Sequence, residues 1–148
     1  MSAVTFREAS SADWRLVAAL LVEAKLPDLG ARDHLSNFVL AFEGTELVGC
    51  AGLERYGRYA LLRSVAVAAR KRGEGLGDAL VRRVLLRAGA DGVGEVVLLT
   101  ETAPAYFPRF GFEPITRAEA PEAVKASAEF KGACCASAVA MRLRLANP

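Results

Sequence analysis

The sequence predicts an α/β fold of the α+β kind: a mixed, mostly antiparallel sheet flanked by helices. Three observations carry this. Strand-like segments follow one another through the first half with only short glycine-bearing turns between them, the pattern of an antiparallel meander. The best helical periodicity, residues 76–88, comes directly after a strand ending in Val65-Ala66-Val67. A short apolar run, Glu95–Thr100, follows that helix and is expected beside the earlier strand and parallel to it.

In chain order, residues 4–7 read as a first strand ending in a serine-rich turn. Ser10 or Ser11 can cap a helix in which Trp14, Val17, Leu20 and Leu21 recur at helical spacing, and Pro27 stops it. Residues 28–37 are polar and broken by Gly30, which suits a loop with a short helix. Residues 38–42 and 47–53 are strands joined across Glu43-Gly44-Thr45, and residues 54–59 are read as the next turn. The central strand follows. Leu76, Leu80, Val84 and Leu85 share one face of the next helix, with Arg82, Arg83 and Arg87 turned outward. Thr102 can cap a short helix starting near Pro104. Residues 120–128, with Pro121 near the start, are expected to be helical, and the alternating run 139–145 is a last strand.

Composition bounds the function. A chain of 148 residues is expected to be one domain, 1–148, able to bury roughly two thirds of its extended surface. Although 53% of it is hydrophobic, no apolar run approaches the roughly 18 residues of a membrane span. Residues 1–11 lack a signal-peptide layout, so a cytoplasmic protein that does not engage membranes is expected. A net charge of +2, with arginines spread over several elements, gives no nucleic-acid footprint. Three cysteines and one histidine have no zinc-ligand spacing, so no metal is expected. Cys50 reads as a small buried hydrophobe, and His34 as a surface or capping residue.

The stretch 61–80 is where chemistry is expected. A helix start leaves backbone N–H groups without internal partners and carries partial positive charge. Gly73, Gly75 and Gly77 would let an anion approach those donors, with Arg70, Lys71 and Arg72 alongside. The dinucleotide fingerprint G-x-G-x-x-G does not fit, and no Lys-Ser or Lys-Thr follows as a P-loop requires. What fits is R-x-x-G-x-G, as Arg72, Gly75 and Gly77, directly after V-x-V.

That combination resembles the acetyl-CoA-binding motif of the GNAT superfamily, the GCN5-related N-acetyltransferases. The resemblance implies a GNAT fold with a sheet of six to seven strands and two central parallel strands that splay apart. The pantetheine arm of acetyl-CoA would lie in that gap against the backbone of Val65, Ala66 and Val67. Its diphosphate would sit on Arg72, Gly73, Glu74, Gly75, Leu76 and Gly77. The segment Tyr106-Phe107 followed by Gly111-Phe112 resembles a second superfamily pattern, with one departure. Phe107 stands where the general-acid tyrosine is usual; it can line the cofactor arm but gives no proton to a leaving thiolate. Tyr106, about 100° round a helix, is expected to pack in the core.

Acetyl transfer to an amine needs the amine neutral, and an ammonium near pKa 10 is less than about one per cent neutral at pH 7. A carboxylate can take that proton. Glu54 is the first candidate and Glu101 the second, each otherwise an ordinary edge carboxylate. A carboxylate-bearing acceptor would need a cation, for which Arg63 and Arg55 or Arg58 are available; Thr100 is a further substrate-binding candidate. These arginines are equally suited to lying over the sheet. No residue has a recognisable nucleophile setting, so a ternary complex is expected. The sensor alternative, a CoA-binding domain without turnover, is kept open by Phe107.

A Cys followed shortly by a small-residue turn and a terminal strand with Ala140-Met141 resembles the amino-acid acetyltransferase branch, and the chain from LVG-x-x-GLE-x-YG through LLRSVAV and RGEGLG to EF-x-x-x-C resembles more closely the small GNAT proteins of arsenic-resistance operons. The acceptor is then a small amine, an amino acid or an analogue. Cys134 and Cys135 could bind trivalent arsenic or simply pack among small residues. Superfamily members often dimerise, and the apolar terminal strand permits a homodimer.

Overall fold

The computed structural model describes residues 3–101, 103–133 and 137–145. Seven strands form one sheet: β1 (Val4–Glu8), β2 (Phe38–Glu43), β3 (Glu46–Tyr56), β4 (Tyr59–Val67), β5 (Glu95–Thr100), β6 (Glu113–Ile115) and β7 (Val139–Arg144). Their spatial order is β1-β2-β3-β4-β5-β7-β6, and every neighbouring pair is antiparallel except β4 with β5. The fold is the expected mixed, mostly antiparallel sheet, with helix α1 (Trp14–Glu23) on one face and α2 (Leu76–Ala90) on the other.

Two-sided covering explains why β2 reads as an unbroken apolar run rather than an alternating one. Val39 and Ala41 pack toward Leu80, Val81 and Val84 of α2, while Phe38, Leu40 and Phe42 pack toward Val17, Leu20 and Leu21 of α1. Gly52 lies opposite Phe38, and a Cβ on it would come within 2.3 Å of the Phe38 ring, so the ring lies flat over bare backbone.

Three expectations are corrected. Residues 54–59 are not a six-residue turn: β3 and β4 run on until Tyr56 meets Tyr59, leaving Gly57 and Arg58 as the loop, with Gly57 at φ +65°. Polar side chains suggested a turn, but cross-strand pairing keeps Glu54 buried inside the hairpin. Residues 120–128 do not form a helix; only a 3₁₀ turn at Val124–Ala126 and a π-helical turn at Glu129–Ala133 appear, since Ser127 at the C-cap is extended. The segment after β5 is a turn followed by a 3₁₀ helix, Phe107–Phe110, ended by Gly111 at φ +100°. The strand β6 was not anticipated. The Thr102 capping role lies outside the described residues.

Candidate active site

The parallel pair at the centre of the sheet is joined for only three residues, Tyr59–Leu61 against Glu95–Val97. Beyond Leu61 the strands part. From there, among the described residues, β5 pairs only with β7, and the remainder of β4 keeps β3 as its partner while its other edge is open. The parting is helped by a bulge at Ser64, which takes φ +59° where two residues of β4 face one of β3. The Ser64 carbonyl accepts a hydrogen bond from the Cys50 thiol at 3.2 Å, which holds the bulge to β3.

The parted strands make a cleft of about 480 Å³. Leu62, Arg63, Ser64 and Val65 form one wall, Leu98–Glu101 the other, and Lys25–Pro27, Phe107 and Glu129 close it. Val65 and Tyr106 are shared with a second cleft, which runs along Val67 to Arg72, Gly73, Gly75 and Gly77. The expected cofactor residues are therefore largely contiguous. Glu74 is an exception: it is exposed, pairs with Lys71 at 3.2 Å, and does not line either cleft. Leu76 turns its side chain into the core against Leu80 and Val81. Ala66 is a further exception: its side chain packs on the α1 face and it does not line either cleft.

The turn fits an anion. Gly73 and Gly75 both have φ +82°, a conformation that favours glycine, and a Cβ on either would meet nothing within 4 Å. Among the described residues no side chain caps α2, so its first amides keep their donors. The one acidic residue in that turn, Asp78, also lines this cleft but is engaged: it accepts from the Tyr106 hydroxyl at 2.6 Å and from Arg109 at 3.3 Å, and the Tyr106 bond above all holds its carboxyl below the usual range. Tyr106 packs against the core as expected, its ring edge-on to Phe107 and Phe110, but it is only half-buried and its hydroxyl reaches Asp78. The flanking cations are less free than the sequence suggests. Arg70 is bound to Glu43 and Glu46, and Lys71 to Glu43 and Glu74, while Arg72 donates through Nε to the Val67 carbonyl at 3.0 Å.

At the inner end lies a buried ionic cluster. Arg63 Nη1 donates to Glu54 at 2.6 Å and to the Leu29 carbonyl at 2.9 Å; Nη2 donates to the Pro27 carbonyl at 3.0 Å, and Nε to Ser64 Oγ at 3.1 Å. Arg63 therefore pins the loop after α1 to β4, and its remaining direction faces Glu129, 3.5 Å away. Glu54 is only 1% exposed; its other oxygen accepts from Tyr56, whose hydroxyl is pushed up to about 12 chiefly by burial, and lies 3.7 Å from His34 Nε2. Glu54 does not line the cleft, whereas Glu101 does, exposed at the rim. Thr100 lines it too, with Oγ1 accepting from the Ala103 amide at 3.1 Å. Arg55, which donates to the Asp91 carbonyl, and Arg58, over the Tyr59 ring, lie away from it. Phe107 is buried edge-on against Tyr106 and Phe112 and forms part of the lining. Cys134 and Cys135 fall outside the described residues. Among those that are described, no group of three or more His, Cys, Asp or Glu is placed to hold a metal, and no helix is long and apolar enough to cross a membrane.

Sequence reasoning missed two residues of this site. Glu129 sits in a segment that reads as a lead-in to the last strand, and only the cleft shows its place. Lys25, at φ +59° just after α1, could have been found from the helix stop at Pro27, since a residue between a helix end and a proline is a natural left-handed cap.

A slot between parted parallel strands, opening on an uncapped helix start, defines a class of protein that holds a long ligand by an anionic end. Residues 34–114 match the family model described as the acetyltransferase (GNAT) domain, and the chain belongs to that family. It is 29% identical over 93 residues to an uncharacterized N-acetyltransferase of Chlorobaculum tepidum, a match covering 62% of this chain and 59% of that protein's length. Among solved structures, the fold is like that of N-acetylglutamate synthase from Neisseria gonorrhoeae in complex with coenzyme A and N-acetyl-glutamate. That likeness has a TM-score of 0.82 at 22% identity and covers 99% of this chain and 36% of the synthase. A GNAT-family acetyltransferase from Staphylococcus aureus Mu50 gives a TM-score of 0.78 at 17% identity, covering 97% of this chain and 100% of that one.

Proposed function

We propose that residues 1–148 act as one domain that moves the acetyl group of acetyl-CoA to the primary amine of a small molecule, an amino acid or a close analogue. The observation that carries this reading is the parting of β4 from β5 after Leu61, in line with the uncapped start of α2. Acetyl-CoA, when bound, supplies the thioester. Gly73, Gly75 and Gly77, with Arg72 beside them, would receive its diphosphate, while the open edge at Val65–Val67 would pair with its amide-bearing arm. Phe107 would line that arm. The acceptor would enter at the other end, between Thr100 and the segment Lys25–Pro27, where Arg63 fixes the floor.

Direct attack in a ternary complex is the favoured route. Cys50 is buried and its thiol is pushed up to about 12 by desolvation, so it offers no thiolate to carry the acetyl group. The amino-acid class is supported by the cysteine, small-residue turn and Ala140-Met141 strand of the sequence and by the fold likeness to N-acetylglutamate synthase; a place among arsenic-resistance proteins rests on the sequence motifs alone. A second reading, a CoA-binding sensor with little turnover, is favoured by Phe107 at the usual general-acid position. A thiol-release assay with acetyl-CoA over a panel of common L-amino acids and simple amines separates them. Release with at least one amino acid is expected. A silent panel with tight acetyl-CoA binding would favour the sensor, and no thermal shift by acetyl-CoA would overturn both.

A further inference from the structure

We propose that Glu129, not Glu54, is the carboxylate that takes the proton of the acceptor's ammonium. This rests on the acetyl-transfer reading above. Glu129 and Glu54 both lie beside Arg63, but they are placed differently. Glu54 holds the short bond to Arg63 Nη1 and a second bond from Tyr56, so both of its oxygens are engaged, and it does not line the cleft. Glu129 is 4% exposed, lines the cleft, and among the described residues has only the 3.5 Å approach of Arg63 Nη2 as an ionic contact. Its lone pairs remain available at the end where an acceptor would enter.

The surroundings suit proton transfer. Desolvation pushes the Glu129 carboxyl up to about 7, Arg63 opposes this, and Glu54 adds to it. A base poised near working pH is the most effective compromise between being unprotonated and being basic enough. The other charged or titratable groups around it are Lys25 and Glu101 on the cleft walls, Tyr106 on the far side, and Tyr56 and His34 behind Glu54. On its own segment, Ser127 Oγ accepts from the Glu129 amide at 3.2 Å, which fixes the start of the π-helical turn carrying the carboxylate.

One proton passes from the acceptor's ammonium to a Glu129 oxygen. The freed amine forms the N–C bond as the thioester C–S bond breaks, and the departing thiolate takes a second proton from nitrogen. Glu129 then returns its proton to solvent.

The test compares wild type, Glu129→Gln and Glu129→Asp by thiol release with the common L-amino acids, following kcat/KM against pH, and measures acetyl-CoA binding in each. Wild type should show an acidic limb near pH 7, with kcat/KM lost as pH falls and the carboxylate is protonated. Glu129→Gln should lower kcat/KM by about 10²–10⁴-fold. Its profile should rise continuously toward the amine's own pKa near 10, with acetyl-CoA affinity held within twofold. Glu129→Asp should keep the limb and lose about tenfold in kcat, which carries the test if the Gln variant does not fold. A Gln variant within threefold of wild type with the same limb, or an Asp variant at wild-type kcat, overturns the assignment alone. Failure of wild type to bind acetyl-CoA overturns the functional reading beneath it.

Discussion

Arg63 and Glu54 face each other at 2.6 Å with both side chains out of solvent, and Arg63 also holds the carbonyls of Pro27 and Leu29. The ion pair fastens β3 to β4 inside the hairpin, and the same guanidinium ties that hairpin to the loop that walls the cleft. Breaking a buried pair from one side strands a charge, at a cost of about 3–5 kcal/mol. Arg63→Met should destabilise by that amount in urea unfolding. Adding Glu54→Leu should recover a large part of the loss, and simple additivity of the two substitutions would show that the pair is not coupled.

Gly75→Asp puts a carboxylate and a strained left-handed residue at the mouth of α2, where Gly75 has φ +82°. The strain alone costs about 1–2 kcal/mol. Gly57→Asp, in the β3–β4 turn at φ +65°, carries similar strain far from the cleft and is the control. Both should unfold somewhat more easily, but only Gly75→Asp should lose acetyl-CoA affinity, by tenfold or more in calorimetry. Equal affinities in the two variants would remove the anion site from this turn.

Much of this was readable because it is local. The strand, glycines and helix of residues 61–80 determine one another within a few residues, so the cradle could be placed without knowing the rest of the fold. Glu54 and Arg63 are nine residues apart, and their pairing depends on hairpin register; read singly, each looked like an exposed charge. Glu129 is further removed, since it reaches the cleft only through the return of the chain over β4. The same holds for Arg70 and Lys71, whose charges were legible but whose partners, Glu43 and Glu46, come from the β2–β3 hairpin.

Lys25 occupies the left-handed position of a Schellman motif at the end of α1, with the Leu26 amide donating to the Leu21 carbonyl at 2.9 Å and the Lys25 amide to Val22 at 3.0 Å. Glycine is preferred there. Lys25 lines the cleft and makes no ion pair among the described residues, so it is free to meet an acceptor carboxylate. Lys25→Gly should raise stability by about 1 kcal/mol and raise KM for an amino-acid acceptor about fivefold or more, leaving kcat little changed. A stabilised variant with unaltered KM would make Lys25 a structural cap only.

Asp13 accepts two bonds from Arg7 at 2.8 Å and one from the Ser10 amide at 2.8 Å, tying the start of α1 to β1. The Arg7 bonds, above all, hold its carboxyl well below the ordinary range. A lowered folded-state value gives stability that is complete above the unfolded value of about 3.9 and lost as pH falls below it. Asp13→Asn should therefore cost stability at pH 7, by about 1–2 kcal/mol, with the gap from wild type closing below about pH 3. A gap independent of pH would assign the loss to packing.

On the proposed function, acetyl-CoA would lie along the open edge of β4 with its diphosphate at the start of α2. Amide hydrogen exchange with and without saturating acetyl-CoA tests it most directly. Slowed exchange is expected across residues 65–67 and 73–79, with β1 and β2 unchanged. Binding that protects some other surface, or that leaves both of these segments exchanging as before, would contradict it.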